Sequence, residues 1–277
     1  MKDNNFEKLL DLALEEDLRE VGDVTSRAIF GDERTTAVLY SKDSGVLAGI
    51  DFFGQVFHRV NSAINVNLLM NDGSLLKPGD KIAEITGLTA AVLEAERTAI
   101  NFLSFLSGIA TEADKCVEAA KLSGGAVILD TRKTLPGYRN LSKYAVAVGG
   151  GQNHRFGLYD MVMIKDNHID AAGSISSAVS KVREKWDGAF EIEVECRTLD
   201  EVREAVSLGV ERIMLDNMDP ALTGEAVTLG DGKVTFEASG NMHIEKIKEY
   251  SPTGVHFISV GSLTHSVKAF DFSLRIG

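Results

Sequence analysis

Cysteine is scarce in this chain of 277 residues: there are two, Cys116 and Cys196, with no paired metal-ligand motif beside either. That excludes a disulfide framework and a cysteine-based zinc site, and both read as reduced thiols of a cytoplasmic protein. Basic residues are also few, 29 Lys and Arg against 41 Asp and Glu, for a net charge of −12 and a pI near 5.0. Such a balance argues against non-specific nucleic-acid binding, which depends on basic surface to displace counterions. No apolar run is long enough to span a bilayer. The stretch Met1 to Phe6 lacks the basic and apolar regions of a signal peptide. Low-complexity segments are missing too. What remains, 44% hydrophobic and 25% charged, is the composition of an ordinary globular protein with enough core for one large domain or two smaller ones.

The first hundred residues mix element types. Phe6, Leu9, Leu10, Ala13, Leu14 and Leu18 make one stripe of an amphipathic helix over 6–18. Gly22 to Ser26 reads as a turn, and 36–50 reads as a hairpin bent at Asp43-Ser44-Gly45. A short helix over 52–60 precedes strands near 65–70 and 81–86, which flank the turn signals Asn71-Asp72-Gly73 and Lys77-Pro78-Gly79-Asp80. The second of these has the outline of a carrier-domain hairpin, but no modifiable lysine sits at a matching tight turn, so it reads as structural. Without a βα alternation this part is an α+β domain. Leu93 to about Leu122 reads as a helix, broken near Ser107-Gly108, that carries the chain onward.

After Gly125 the texture changes. Short apolar runs recur at 126–130, 161–165, 191–195, 212–216, 234–239 and 257–261, each closing on a polar or glycine residue. The last four ends are spaced by 21, 23 and 22 residues, room for a strand, a helix such as 174–185 or 199–208, and two loops. That is the rhythm of a parallel α/β barrel or a doubly wound sheet. Six strands fall short of the eight of a full barrel, so an incomplete one is expected.

Against the acidic whole, residues 130–168 form a cationic island: Arg132, Lys133, Arg139, Lys143, Arg155 and Lys165, with His154 and His168, set among Gly, Pro and Thr. A local positive field suits a small, multiply charged anion; a plain solvated face is the alternative. In barrels the site lies at the C-terminal strand ends, which here carry Asp130-Thr131-Arg132-Lys133, Lys165, Glu195, Asp216, Ser239-Gly240 and Gly261. Ser239-Gly240-Asn241 and Gly261-Ser262 suit a phosphate held by backbone N–H groups. Glu195 and Asp216 end neighbouring strands and can capture magnesium, bind ribose hydroxyls or stabilise developing positive charge, or can pair with Lys133 and Lys165 as structural ion pairs. Glu193 and Glu191 alternate with Glu195 and share its face. Lys165 can be a cationic anchor or a Schiff-base lysine; its acidic neighbours favour the first. His154-Arg155, after three glycines, can grip a carboxylate, and His168 reads as a residue that fixes its loop.

Three motifs, Thr131-Arg132-Lys133-Thr134 with Pro136, Gly137 and Arg139; Gly149-Gly150-Gly151 with Asn153-His154-Arg155; and Ile164-Lys165-Asp166-Asn167-His168, together resemble the quinolinate phosphoribosyltransferase family. Glu96-Arg97-Thr98, Leu215-Asp216-Asn217 and Val260-Gly261 with Leu263-Thr264-His265 extend the resemblance over nearly the whole chain. It implies an N-terminal α/β sandwich domain over 1–107, joined by 267–277, and an incomplete TIM-like α/β barrel over 108–266. It implies a homodimer and magnesium-dependent transfer of phosphoribosyl from phosphoribosyl pyrophosphate to quinolinate with decarboxylation. On that pattern Arg132, His154 and Arg155 hold the quinolinate carboxylates with Lys165 beside them, Thr131 is a further substrate-binding residue, and Arg97 arrives from the partner subunit. Lys133 meets the pyrophosphate, Glu195 and Asp216 the ribose and magnesium. Ser239, Gly240, Asn241, Val260, Gly261 and Ser262 hold the 5′-phosphate with His265 close by. Asn241 and Leu135 depart from the residues common in the family. The rivals are a paralogue for another pyridine acid, a molybdate-transport homologue, and a non-catalytic sensor of nucleotides or pyridine acids.

Overall fold

The computed structural model describes residues 4–277. The chain opens with α1 (Asn4–Leu18), α2 (Val24–Ile29), β1 (Arg34–Ser41), β2 (Gly45–Val46), α3 (Ile50–Val60), β3 (Asn65–Leu68), β4 (Leu75–Leu76) and β5 (Lys81–Leu88). The long α4 (Thr89–Ser123) leads to β6 (Val127–Leu129), α5 (Arg139–Val148), β7 (Val162–Ile164), α6 (Asp166–Ala172) and α7 (Ile175–Trp186). Then come β8 (Ile192–Cys196), α8 (Leu199–Ser207), β9 (Arg212–Asp216), α9 (Pro220–Gly230), β10 (Thr235–Ser239) and α10 (Ile244–Tyr250). A 3-10 turn at Ser251–Thr253, β11 (Phe257–Ser259), α11 (Ser262–His265) and β12 (Phe272–Ile276) complete the order. The residues gather into two compact units, the first holding residues up to Asp114 with Leu135–Gly150 and Ser266–Gly277, the second Lys115–Thr134 and Gly151–His265.

The first unit is built on an antiparallel sheet in the order β12-β1-β5-β3. β1 alternates exposed and buried residues, as a strand with one covered face must. The hairpin expected over 36–50 does not form. β1 takes β5 and β12 as partners, and β2 pairs with β4 instead. Leu47, Ala48 and Ile50 are all buried rather than alternating, and Gly49, at φ 95, turns the chain directly into α3. Gly22 to Ser26 is likewise more than a turn, since the Asp23 side chain caps α2. Nor does α4 break at Gly108; a Cβ there would lie 2.3 Å from the Lys268 carbonyl, so this glycine serves close packing within the unit.

Aromatic rings fill the core of this unit, Phe6 lying 4.6 Å from Phe52 and 5.3 Å from Phe102. A boundary at 107/108 does not anticipate that 135–150 groups here. The reason is aromatic: Tyr138 stacks on Phe102 at 6.0 Å, and Tyr144 meets Phe52 at 5.5 Å while donating to Asp72 at 2.5 Å.

The second unit is a six-stranded parallel sheet, β6-β11-β10-β9-β8-β7, with a strand for every apolar run after Gly125. All five residues of β8 are buried, the pattern of a strand covered on both faces. Helices α7 and α8 begin at the caps Ser174 and Thr198 and bury one stripe each, Ile175-Ala178-Val179 and Val202-Ala205. Cys116 and Cys196 are buried and not disulfide-linked. Among the described residues no helix is long and apolar enough to cross a membrane.

Candidate active site

Parallel strands put all their C-terminal ends on one edge, and in the second unit that edge carries the ionisable residues. Asp216 and Ser239, the last residues of β9 and β10, are in register. Two cavities of about 370 Å³ each open there and share Thr131, Lys133, Asp216, Ser239 and Ser259 as lining. Arg132, His154, Arg155, Lys165 and Glu195 line the first; Gly240, Asn241, Gly261, Ser262 and His265 line the second. Fourteen of the residues singled out from the sequence thus fall into two adjoining lobes. Arg97 belongs to the first unit, exposed on α4. Val260 lines neither lobe, because its side chain is buried and its N–H donates to the Leu129 carbonyl at 2.9 Å.

In the first lobe the cations are held in place by the backbone. Arg155 donates to the Met161 carbonyl at 3.0 Å and approaches Met163 sulfur at 3.6 Å. Burial, and then neighbouring Arg132, make the Arg155 charge harder to sustain and lower its pKa. Two guanidiniums so close create a field that an anion relieves. Lys165 pairs with Glu195, which is 8% exposed, so it is engaged as a cation rather than as a nucleophilic amine. His168 accepts the Lys165 N–H through Nδ1 at 2.9 Å and so fixes that loop. Met163 and Met214 supply apolar lining.

The second lobe is shaped by backbone. Asn217 and Asn241 adopt φ of 55° and 48°, and Gly240 adopts 119°. A Cβ on Gly240 would come within 2.2 Å of Asn217 Oδ1, so the close approach of these two loops requires glycine. Asn217 donates to Asp216 at 2.9 Å and its N–H reaches the Ser239 carbonyl at 3.0 Å. Lys246 on α10 donates to the Gly240 carbonyl at 3.1 Å, a restraint that the motifs did not signal.

The motifs also missed a cluster at the wall of the first lobe, where Glu237 lines the cavity beside His154. His154 Nε2 lies 3.0 Å from Glu193 and 3.3 Å from Glu237, both carboxylates fully buried, and Arg212 Nη1 lies 3.6 Å from Glu237. Strand alternation flagged Glu193; Glu237, two residues before Ser239, could have been found the same way. The three ligand atoms sit within 4.8 Å of one another, as at a metal site. Both carboxylates address the same nitrogen, however, which is the arrangement of a shared proton.

Burial of the His154 ring pulls its pKa down, but hydrogen bonds to Glu193 and Glu237 outweigh this and push it up to about 9. Burial, and then Glu237, push the Glu193 carboxyl up to about 7 against the opposing pull of His154 and Arg212. A second ring proton would have to sit on Nδ1, where the Arg155 N–H already points at 2.7 Å. The extra proton therefore rests between Nε2 and the carboxylates. Burial pushes the Glu237 carboxyl up, but His154, Ser259 and Arg212 outweigh this and hold it low. Above the ordinary carboxylate range the folded cluster therefore binds more protons than the unfolded chain through His154 and Glu193. A raised folded pKa stabilises fully below the unfolded value and loses that contribution as pH rises through the folded one. For Glu193 the window runs from 4.5 to about 7, and for His154 from 6.5 to about 9. Stability is therefore expected to fall steadily as the pH rises from 5 to 9. Urea unfolding across that range checks this, and Glu193→Gln should flatten the lower half of the curve. A wild-type curve that rises with pH would contradict the assignment.

The family model described as quinolinate phosphoribosyl transferase, C-terminal domain, matches residues 109–275, and the N-terminal domain model matches 23–107. The chain is 42% identical over 274 residues to a Bacillus subtilis protein named probable nicotinate-nucleotide pyrophosphorylase (carboxylating), covering 98% of this chain and 93% of that one. It is 41% identical to a Nicotiana tabacum protein named quinolinate phosphoribosyltransferase (decarboxylating) 2b, mitochondrial, covering 98% of this chain and 82% of that one. The solved nicotinate-nucleotide pyrophosphorylase from Francisella tularensis superposes with a TM-score of 0.96 at 38% identity, covering 100% of this chain and 98% of that one.

Proposed function

The chain belongs to the quinolinate phosphoribosyltransferase family, and from that premise we propose how its own residues carry the reaction. It is a decarboxylating phosphoribosyltransferase of NAD biosynthesis, joining quinolinate to phosphoribosyl pyrophosphate and yielding nicotinate mononucleotide, pyrophosphate and carbon dioxide. The observation that carries our reading is the first lobe, where Arg132, Arg155 and Lys165 share a cavity of about 370 Å³ with Glu195 and Asp216.

Quinolinate carries two adjacent carboxylates. Arg132 and Arg155 match them as planar two-pronged donors, with Lys165 and Thr131 beside them and His154 behind. Lys133 lines both lobes and meets the pyrophosphate. Ser239, Gly240, Asn241, Gly261 and Ser262 cradle the 5′-phosphate, with His265 adjacent; Val260 drops from that set because its N–H is already committed. As the ribose leaves pyrophosphate its anomeric carbon becomes cation-like, and Glu195 and Asp216 stabilise it electrostatically. The pyridine nitrogen forms the new bond to that carbon and becomes positive. The C–CO2 bond beside it then breaks; its electron pair stays on the ring carbon, stabilised by the cationic nitrogen, and is protonated. Water would compete with these charges, so the buried apolar lining of Met163 and Met214 helps the site work.

Magnesium fits the same site. Glu195 and Asp216 are hard oxygen donors on the lining shared with the pyrophosphate lobe, and magnesium is commonly held by one or two carboxylates together with substrate phosphates. When bound it would neutralise pyrophosphate charge. Turnover of quinolinate with phosphoribosyl pyrophosphate should stop on adding EDTA and return with magnesium; undiminished product in EDTA would remove the metal from the reading.

The protein acts in the cytoplasm as a homodimer, with Arg97 donated to the partner's quinolinate pocket. An exposed arginine on α4 supports this part. Arg97→Ala and Arg155→Ala homodimers should each be nearly inactive. Mixed dimers of the two should recover one working site in two, about half the wild-type rate. Absence of complementation would remove the cross-subunit role.

A further inference from the structure

Glu193 and Glu237 have no part in the reaction as derived above, yet both are fully buried, Glu237 on the lining of the first lobe and Glu193 behind it. They stand on β8 and β10, the two strands that flank β9. Buried carboxylates are retained at a cost unless they are matched by donors or charges. Here the matching group is shared: both reach His154 Nε2, at 3.0 and 3.3 Å, while Arg212 approaches Glu237 and packs 4.2 Å over the Phe257 ring.

The rest of the His154 residue is tied down as well. Nδ1 accepts the N–H of Arg155 at 2.7 Å, and the His154 N–H donates to the buried Asp130 carboxylate at 2.8 Å. An Nδ1 that accepts an N–H carries no proton, so Nε2 bears it, facing the two carboxylates at 3.0 and 3.3 Å. Two strands thereby fix a ring, and the ring fixes the peptide from which the Arg155 side chain departs. That side chain is in turn aimed by the Met161 carbonyl at 3.0 Å.

We propose that Glu193 and Glu237 are positioning residues for the dicarboxylate: by holding His154 Nε2 they set the Arg155 peptide and so the direction in which its guanidinium meets the substrate. His154 is a buttress in this arrangement. Its two nitrogens are committed to the protein, and it acts on quinolinate through Arg155 and through the shape of the pocket wall. The proposal rests on the quinolinate reading given under Proposed function and adds the parts that aim its arginine.

A positioning role predicts a selective defect. Glu237→Ala should raise the KM for quinolinate about tenfold, leaving kcat and the KM for phosphoribosyl pyrophosphate within about twofold. Glu237→Gln, which keeps an oxygen acceptor beside Nε2, should restore the quinolinate KM to within about threefold of wild type. Equal rises in both KM values, an unchanged quinolinate KM, or a Gln variant as poor as the Ala variant would overturn the proposal. Should the Ala variant fail to fold, the same split is read from Glu193→Gln combined with Glu237→Gln, where weakened acceptors should still raise only the quinolinate KM. The tautomer is read separately, by nitrogen-15 NMR of the histidines in the wild-type protein without substrate. A proton on Nε2 with bare Nδ1 is expected at neutral pH, and a proton on Nδ1 would sink the proposal. That spectrum does not depend on turnover, so an inactive wild-type protein would defeat the functional reading while leaving the buttress to be judged by itself.

Discussion

Replacing Arg155 with alanine should lower kcat/KM for quinolinate by roughly 10²–10³-fold, the scale expected when a two-pronged charged hydrogen bond is removed from a partly buried site. The guanidinium is half-buried, held by the Met161 carbonyl and Met163 sulfur, and burial together with the neighbouring Arg132 charge lowers its pKa. That pairing makes sense only when an anion with two negative groups arrives. The loss should fall on quinolinate and spare phosphoribosyl pyrophosphate, whose phosphates are assigned to the other lobe. Arg155→Lys should not rescue, because an ammonium supplies a point charge without the planar fork. Initial rates with each substrate varied in turn test this, and a loss of less than tenfold, or one spread evenly over both substrates, would show that the two arginines do not divide the carboxylates between them.

Glu195→Gln should lower kcat by roughly 10²–10³-fold with little change in either KM, since a charge that acts on a cation-like sugar matters most in the transition state. In the free protein Glu195 is ion-paired with Lys165 and is almost wholly buried. Its removal also leaves the lysine without its carboxylate, so quinolinate binding is expected to hold or tighten slightly. Asp216→Asn should act in the same direction, and the double substitution should cost much less than the two losses multiplied, because both carboxylates serve one developing charge. Rates at saturating concentrations of both substrates decide the matter; an unchanged kcat with a raised KM would reduce Glu195 to a binding residue.

Much of this site was legible because the parallel sheet makes sequence position equivalent to spatial position. Once the apolar runs after Gly125 are read as strands, their last residues must share an edge, and Lys165, Glu195, Asp216 and Ser239 follow without any coordinates. Where contacts are long-range and unmarked by periodicity the reading failed. Nothing local says that β1 pairs with β12 rather than with the segment after Asp43, or that Gly108 lets the chain at Lys268 pass against α4. Tyr138 and Tyr144 draw 135–150 to the first unit through ring contacts with Phe102 and Phe52 that are set by tertiary packing. Val260 fell out of the phosphate lobe for a similar reason, since a ladder hydrogen bond to Leu129 is invisible until strand neighbours are known. Glu237 lay within reach of the alternation rule that pointed to Glu193, but an acidic residue in a strand interior becomes meaningful only when His154 is seen to meet it.

The central claim is that this pocket is built for two carboxylates on one pyridine ring. The measurement that tests it most directly is turnover with phosphoribosyl pyrophosphate and magnesium, comparing quinolinate with nicotinate and following the mononucleotide and carbon dioxide together. Product from quinolinate alone, with one carbon dioxide released per mononucleotide formed, is the predicted result. Comparable product from nicotinate, or mononucleotide formed from quinolinate without carbon dioxide, would contradict it.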